Sequence, residues 1–187
     1  MTDTRIMRAD ARRNRDKLLA AAGEVFADAG ADASLDAVAR RAGVGVGTLY
    51  RHFPSREALV EAVYRNEVDQ LAAAPEELLA TLPPDVALER WMERFVSYAV
   101  TKRGMAGALH DVIAARSELP TRTREQLLGA LRVLLEGGAR AGVIRGDMSP
   151  EVVLGAMNAI WRIDDGPQWR EQAAATLRLL MDGLRHT

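Results

Sequence analysis

Apolar residues recur every three or four positions along most of this chain, which is the spacing of one face of an α-helix. Glycine and proline divide the pattern into pieces of helical length. The nearest candidate for a strand, Val143-Ile144, is too short to form one. The pattern therefore predicts an all-α protein of about nine helices.

The N-terminal third contains four of these predicted helices, and their ends carry recognisable signals. Ser34 and Ser55 are suitable N-caps for the second and fourth helices, whereas Gly43 ends the second and Pro54 stops the third. The predicted helices are 12–29, 35–42, a very short one around 48–52, and a fourth that starts after Ser55.

A short separate segment is predicted after Pro75, and longer, more apolar helices follow it. Their approximate ranges are 84–104, 105–119, 127–142, 150–164 and 168–185. We expect the boundary between an N-terminal and a C-terminal domain near residue 71.

Composition removes several classes of function. The net charge of −1 points to neither nucleic acid nor a membrane as the partner, and the absence of cysteine excludes disulfides and thiolate catalysis. No apolar run approaches the ~18 residues of a membrane span, and the N-terminus lacks the apolar core of a signal peptide. We therefore expect a cytoplasmic protein with no metal and no cofactor.

Basic side chains are nevertheless concentrated near the N-terminus. Residues 1–66 hold 11 basic and 9 acidic side chains, whereas residues 67–187 hold 14 and 17. The excess is sharpest in the first 17 residues, which include Arg8, Arg12 and Arg13. Such a segment is either a solvated tail or an arm that contacts a polyanion.

The short third helix has an unusual composition for a segment that cannot be stable alone. Leu49 and Phe53 are four residues apart and can pack inward. Four hydrogen-bond donors are then left outward or at the edge, and none is acidic: Thr48, Tyr50, Arg51 and His52. Two helices joined by a glycine-bearing turn, the second exposed and polar, are typical of a helix-turn-helix that enters the DNA major groove. The alternative is an ordinary three-helix corner with a solvated face.

Arg56 favours the DNA-binding interpretation. It follows the Ser55 cap, where a cation is slightly unfavourable because the N-terminus of a helix is positive. A phosphate docked there would reverse the sign of that interaction, so we expect Arg56 to contact the DNA backbone.

Residues 12–71 resemble the DNA-binding domain of the TetR family of bacterial transcription regulators. The matching stretches are Leu18–Ala22 with Phe26 and Gly30, Ser34–Ala39, Ala42–Val44 and Gly47–Leu59. The resemblance implies a DNA-binding domain over 11–71, with its helix-turn-helix at 34–53, and a C-terminal regulatory and dimerisation domain over 72–187.

The resemblance also implies which residues contact DNA. With the arm, the predicted set is Arg8, Arg12, Arg13, Ser34, Val46, Gly47, Thr48, Tyr50, Arg51, His52 and Arg56. Gly45 stands where family members often have a serine. Because glycine is only slightly worse as a cap, we expect a more mobile recognition helix and not a lost function.

Members of this family act as homodimers, so the resemblance implies two subunits on a palindromic operator in double-stranded DNA. The predicted interface in the last two helices is Val152, Ala156, Ile160, Ala173, Leu177, Leu180, Met181 and Leu184.

A small-molecule effector is expected among the middle helices, where bulky apolar side chains carry a few polar tips. The predicted pocket is Trp91, Phe95, Tyr98, Met105, Leu109, His110, Ile113, Leu131, Met157 and Trp161. Both sets can instead be plain core.

The predicted function is a sequence-specific transcription regulator, a repressor that a small-molecule effector releases from its operator. Activation instead of repression stays open. An enzyme using His110 with Asp111 or a serine is an alternative, but no nucleophile–base–orienter set, phosphate loop or metal-ligand spacing supports it. Another alternative is a helical dimer that binds ligand or protein without binding DNA.

Overall fold

The computed structural model describes the backbone of residues 2–164 and 166–185, and the side chains of these residues except 2–9, 11 and 31. Within these ranges the fold is all-α, as predicted, with nine α-helices and two 3-10 turns at Gly30–Asp32 and Asn158–Arg162. The helices are α1 (Thr2–Ala29), α2 (Leu35–Ala42), α3 (Val46–His52), α4 (Arg56–Thr81), α5 (Pro84–Gly104), α6 (Ala106–Ala115), α7 (Glu118–Arg140), α8 (Pro150–Met157) and α9 (Trp169–Leu184).

The chain forms two compact units. One contains the residues up to Asn66 together with Val100–Ser117, and the other contains Glu67–Ala99 together with the residues from Glu118 onward. The first unit therefore adds the end of α5 and all of α6 to the segment that the sequence assigned to DNA binding. Helices α4 and α5 each contribute residues to both units.

The caps that set the helix ends are those the sequence predicted. The Ser34 hydroxyl oxygen accepts a hydrogen bond from the Ala37 N–H at 3.1 Å, and Ser55 does the same for Ala58 at 3.2 Å. Gly43 ends α2 in the left-handed region, at a φ of 68°, which residues with a side chain rarely adopt. The start of α1 differs from the prediction, because this helix begins at Thr2 and not near Arg12.

The predicted interruption at Pro75 is wrong, because α4 runs through this residue without a break. A proline inside a helix has no N–H to donate to the carbonyl four residues earlier, which here belongs to Leu71. The indole N–H of Trp91 donates to that carbonyl instead, at 2.8 Å in a buried position. A side chain from α5 thus replaces the missing backbone hydrogen bond.

Gly104 ends α5 at a close contact with α1, within the N-terminal unit. A Cβ atom at this position would lie 1.9 Å from the carbonyl oxygen of Phe26, a distance that no real Cβ tolerates. Only glycine therefore allows the two backbones to approach this closely.

The core of the C-terminal unit is organised around a series of aromatic rings. Trp91, Phe95, Tyr98, Trp161 and Trp169 follow one another with ring centroids 6.1, 5.7, 6.4 and 6.5 Å apart. These separations are those of stacked and edge-to-face aromatic pairs, which stabilise a core beyond simple burial.

Replacing Trp91 with Phe should lower the free energy of unfolding by about 1–3 kcal/mol, because the buried Leu71 carbonyl loses its donor. Pro75→Ala restores a backbone N–H to that carbonyl, so Trp91→Phe should cost about 1 kcal/mol less in the Pro75→Ala background. Urea denaturation of the four proteins in this double-mutant cycle measures the difference. Strictly additive effects would contradict the role assigned to the indole.

Candidate nucleic-acid interface

A tight glycine-bearing turn joins α2 to α3. After Gly43, the N–H of Val44 donates to the carbonyl of Ala39 at 3.0 Å, which satisfies the end of α2 and reverses the chain. Gly45 is the N-cap of α3 and provides no side-chain hydrogen bond. Helix α3 therefore begins with free backbone N–H groups at its positive end.

Two buried side chains determine which face of α3 is presented outward. Leu49 is 0% exposed and Phe53 is 3% exposed, as the sequence predicted. Val46, three positions before Leu49, and Tyr50, directly after it, are 41% and 49% exposed. Gly47 and Arg51 are exposed beside them, while Thr48 and His52 are half-buried at the edges.

The glycines at the start of α3 are not required by packing within the subunit. A Cβ atom built on Gly45 or Gly47 would meet nothing within 4 Å. Both residues also have negative φ angles, so a side chain would be free of strain at either position. The small size of these residues therefore needs an explanation outside the isolated subunit.

Helix α1 braces the helix-turn-helix. Arg41 in α2 pairs with Glu24 at 2.7 Å and with Asp28 at 3.5 Å, and the hydrogen bond that Arg41 donates to Glu24 raises the pKa of its guanidinium. Arg15 lies over the ring of Phe53, with its guanidinium carbon 5.5 Å from the centroid. The ion pairs of Arg41 are exposed, so each one stabilises the arrangement only modestly.

Arg56 has partners within the subunit. Its guanidinium carbon lies 5.4 Å from the centroid of the Phe26 ring, and one of its N–H groups donates to the carbonyl of Ala33. These contacts give the cation at the start of α4 a role in folding, beside the phosphate contact that the sequence predicts. The neighbouring Glu57 supplies a negative charge, and hydrogen bonds from its own backbone N–H and from Ser55 lower its pKa.

The remaining predicted DNA contacts are placed as follows. Ser34 is exposed, and since its oxygen accepts the capping bond, its O–H remains available as a donor. Arg12 and Arg13 are exposed on α1, where Arg13 pairs with Asp10. Arg8 lies outside the residues whose side chains are described.

The arrangement can bind the major groove of a DNA duplex. A helix that projects donors, bears no acidic side chain and begins with free N–H groups matches the phosphates and base edges of DNA. Any exposed polar helix offers similar groups, so comparison with known proteins decides the family.

A family model described as "Transcriptional regulator SbtR-like, C-terminal domain" matches residues 83–186, which is more than half of the chain. A second, described as "Bacterial regulatory proteins, tetR family", matches residues 18–63. The chain belongs to the TetR family. Like other TetR-family proteins, it is a DNA-binding transcription regulator.

Individual relatives agree with this assignment. The transcriptional repressor KstR2 of Mycolicibacterium smegmatis is 34% identical over 149 residues, which cover 74% of this chain and 71% of the relative. The crystal structure of the TetR transcriptional regulator SCO0520 from Streptomyces coelicolor is 47% identical, with a TM-score of 0.83, and the match covers 92% of this chain and 99% of the other. A TetR transcription regulatory protein from Mycobacterium vanbaalenii is 33% identical, with a TM-score of 0.74 and coverage of 96% and 99%.

The residues predicted to line a ligand pocket are divided between the two compact units. Six of them are packed in the C-terminal unit, where the aromatic series forms core and Leu131 and Met157 are fully buried. The other four belong to the N-terminal unit: Met105, Leu109, His110 and Ile113. Met105 and Leu109 are buried there, Ile113 is half-buried, and His110 is exposed.

The C-terminal unit contains a groove that the sequence interpretation missed. Its volume is about 320 Å³, and its walls are one stripe of α5, from Glu89 to Ser97, and one stripe of α9, from Arg170 to Met181. None of the ten predicted pocket residues lines it. The apolar residues of these stripes follow helical spacing, which by itself does not distinguish a groove from core.

Most residues predicted for the dimer interface are also core of a single subunit. Five are at most 3% exposed, because they lie on the inner sides of α9 and of the 3-10 turn that precedes it: Ile160, Ala173, Leu177, Met181 and Leu184. Leu180 is half-buried, and Ala156 and Val152 are exposed. The large apolar side chains that the two helices present to solvent are Val152, 58% exposed, and Leu179, 75% exposed. Val152 belongs to the predicted interface, and Leu179 does not.

The described residues contain no cluster of three or more His, Asp or Glu side chains that could hold a metal ion. Among the described helices, none combines the length and the apolar character that crossing a membrane requires.

Arg56→Ala should lower the free energy of unfolding by about 1–3 kcal/mol, because the ring contact and the hydrogen bond to Ala33 are lost together. Arg51→Ala, which removes an exposed arginine from α3, should change stability by less than about 0.5 kcal/mol. Thermal or urea denaturation of both variants separates the two roles. Equal stability of Arg56→Ala and the wild type would show that Arg56 does not brace the domain.

Proposed function

We propose that the protein is a homodimeric repressor that binds a palindromic operator and is released from it by a small-molecule effector. The observation that carries the DNA-binding part is the exposed donor face of α3, which the buried Leu49 and Phe53 hold outward. The similarity to KstR2, a transcriptional repressor, supports repression.

The contacts follow from the chemistry of each exposed residue. Val46 suits the methyl group of thymine, while Thr48 and His52 suit base edges or phosphates. Tyr50 and Ser34 suit phosphate oxygens, as do the cations Arg12, Arg13 and Arg51. Gly45 and Gly47 let the backbone of α3 approach the duplex, since no side chain projects there.

Dimerisation follows from the geometry of DNA and from the exposed apolar residues. Two recognition helices read a palindrome when they lie about one helical turn, ~34 Å, apart. We assign the interface to the solvent-facing sides of α8 and α9, where exposed Gly155, Ala156, Ala159 and Ala175 lie near Val152 and Leu179 in sequence. Small residues allow helices of two subunits to approach closely, and the two large side chains supply apolar area to bury.

Effector control requires that the effector bind more tightly to the conformation that does not fit DNA than to the one that does. A difference of about 1–3 kcal/mol in the effector's binding free energy is sufficient for useful regulation. DNA then weakens effector binding by the same factor by which the effector weakens DNA binding. Helices α4 and α5 each belong to both compact units, so their continuous backbones provide the connection between effector binding and the DNA-binding residues.

Gly47→Ala should raise the free energy of unfolding by about 0.5–1 kcal/mol, because alanine is the better helix former and the position is open. The same variant should bind its operator at least about tenfold more weakly, because the methyl group keeps the backbone from the duplex. Operator sequences selected from random duplexes, followed by mobility-shift titration at several salt concentrations, provide the measurement.

Gly129→Ala is the matched control for that variant. Gly129 is exposed in the middle of α7, and a Cβ there also meets nothing within 4 Å. This variant should gain stability without any change in operator affinity. Wild-type affinity that does not fall with added salt would contradict DNA binding by this surface, because phosphate contacts release counterions.

Leu179→Glu combined with Val152→Glu should convert the dimer to monomers, because charge replaces the apolar area between the subunits. Sedimentation velocity measures the change, and operator affinity should fall with it. Val133→Glu is the control, since Val133 is a 42% exposed valine on α7 outside the assigned interface. If only Val133→Glu converted the dimer to monomers, the interface would lie on α7 and not on α8 and α9.

A further inference from the structure

The groove between α5 and α9 differs in charge from one end to the other. Arg185, just beyond the end of α9, pairs with Glu89 at 2.7 Å and with Asp85 at 3.6 Å, both near the start of α5. The two helices therefore run antiparallel along the groove, and Arg170 and Ser97 lie at the opposite end.

The carboxylates of the groove are already neutralised by arginines. Glu89 is paired with Arg185, and Glu93 is paired with Arg90 at 2.7 Å. The cations on the facing helix are not neutralised in this way. Among the residues that the structure describes, Arg170 and Arg178 form no ion pair. The α9 side of the groove thus carries two positive charges that a bound anion can neutralise.

Between these charges the groove is apolar. Met92 and Val96 from α5 and Leu177 and Met181 from α9 are all at most 5% exposed and form its inner surface. Its volume of about 320 Å³ is that of a small-molecule site. An elongated apolar chain fills such a surface without leaving a polar group unsatisfied.

Arg170 and Arg178 both line the groove from the same side of α9. Arg170 and Arg178 are eight residues apart, which is about 12 Å along the helix axis. Ala174 lies midway between them in sequence, also lines the groove, and carries only a methyl group, so it takes up little of the space there. The planar guanidinium of arginine can donate two parallel hydrogen bonds to one carboxylate, a geometry that other cationic side chains do not offer.

We propose that the α5–α9 groove binds an apolar chain ending in a carboxylate, with the carboxylate at Arg170 and Arg178 and the chain along Met92, Val96 and Leu177. This assignment rests on the proposed effector control and names the chemical class of the effector. Because α5 lines the groove and ends at Gly104 against α1, the ligand contacts a helix that also packs in the DNA-binding unit.

Isothermal titration calorimetry with sodium decanoate tests the proposal, and decyltrimethylammonium, which has the same chain with the opposite charge, is the matched probe. Decanoate should bind saturably, with one molecule per subunit, and the ammonium compound should not. Arg170→Ala with Arg178→Ala should weaken decanoate binding at least about tenfold. Ala174→Phe should abolish binding by filling the groove while leaving both arginines in place.

Arg140→Ala is the charge-matched control, because Arg140 is exposed at the end of α7 and outside the groove. It should bind decanoate as the wild type does, and circular dichroism should show that every variant keeps its helical content. Decanoate should also release wild-type protein from its selected operator, and the double arginine variant should resist release.

Several results would overturn the proposal: no saturable binding of decanoate, equal binding by the double arginine variant, or preference for the ammonium probe. Dissociation of the dimer by Ala174→Phe would also overturn it, because the groove would then be an interface between subunits. Operator binding is measured separately on ligand-free protein. Failure there would reject the DNA-binding proposal, while the calorimetry would still decide the ligand class.

Discussion

The burial of Leu49 and Phe53 holds a recognition helix of seven residues that is too short to be stable by itself. Everything that α3 offers to DNA follows from this contact, because burying one side of so short a helix leaves the other side exposed. Arg41 and Arg15 connect this region to α1, and Arg56 connects the start of α4 to it. The DNA-binding surface is therefore prepared before DNA arrives, which reduces the entropy lost on binding.

Helix α9 serves three surfaces with sixteen residues. One stripe, which includes Ala173 and Leu184, packs into the core. A second stripe, at Arg170 and Arg178, borders the α5–α9 groove, and Leu179 projects into solvent on a third. In the proposed arrangement the effector and the partner subunit contact the same helix, so a small movement of α9 changes both sites.

Four aromatic residues organise the C-terminal unit. Trp91, Phe95, Tyr98 and Trp161 have the bulk and the polar tips expected of a pocket wall, and they also pack against one another. Packing rings together buries more apolar surface than lining an empty space does. The indole N–H of Trp91 is used within the core as well, where it supplies the hydrogen bond that Pro75 cannot make.

The sequence by itself determined the helical class, the caps at Ser34, Ser55 and Gly43, and the inward side of α3, because these depend on periodicity and on residues adjacent along the chain. Family resemblance added DNA binding. The continuity of α4 through Pro75, the partners of Arg56 and the α5–α9 groove were decided only by the tertiary structure. Each of these depends on a side chain that is distant in sequence, and helical spacing specifies that a residue faces inward without specifying which neighbour it meets.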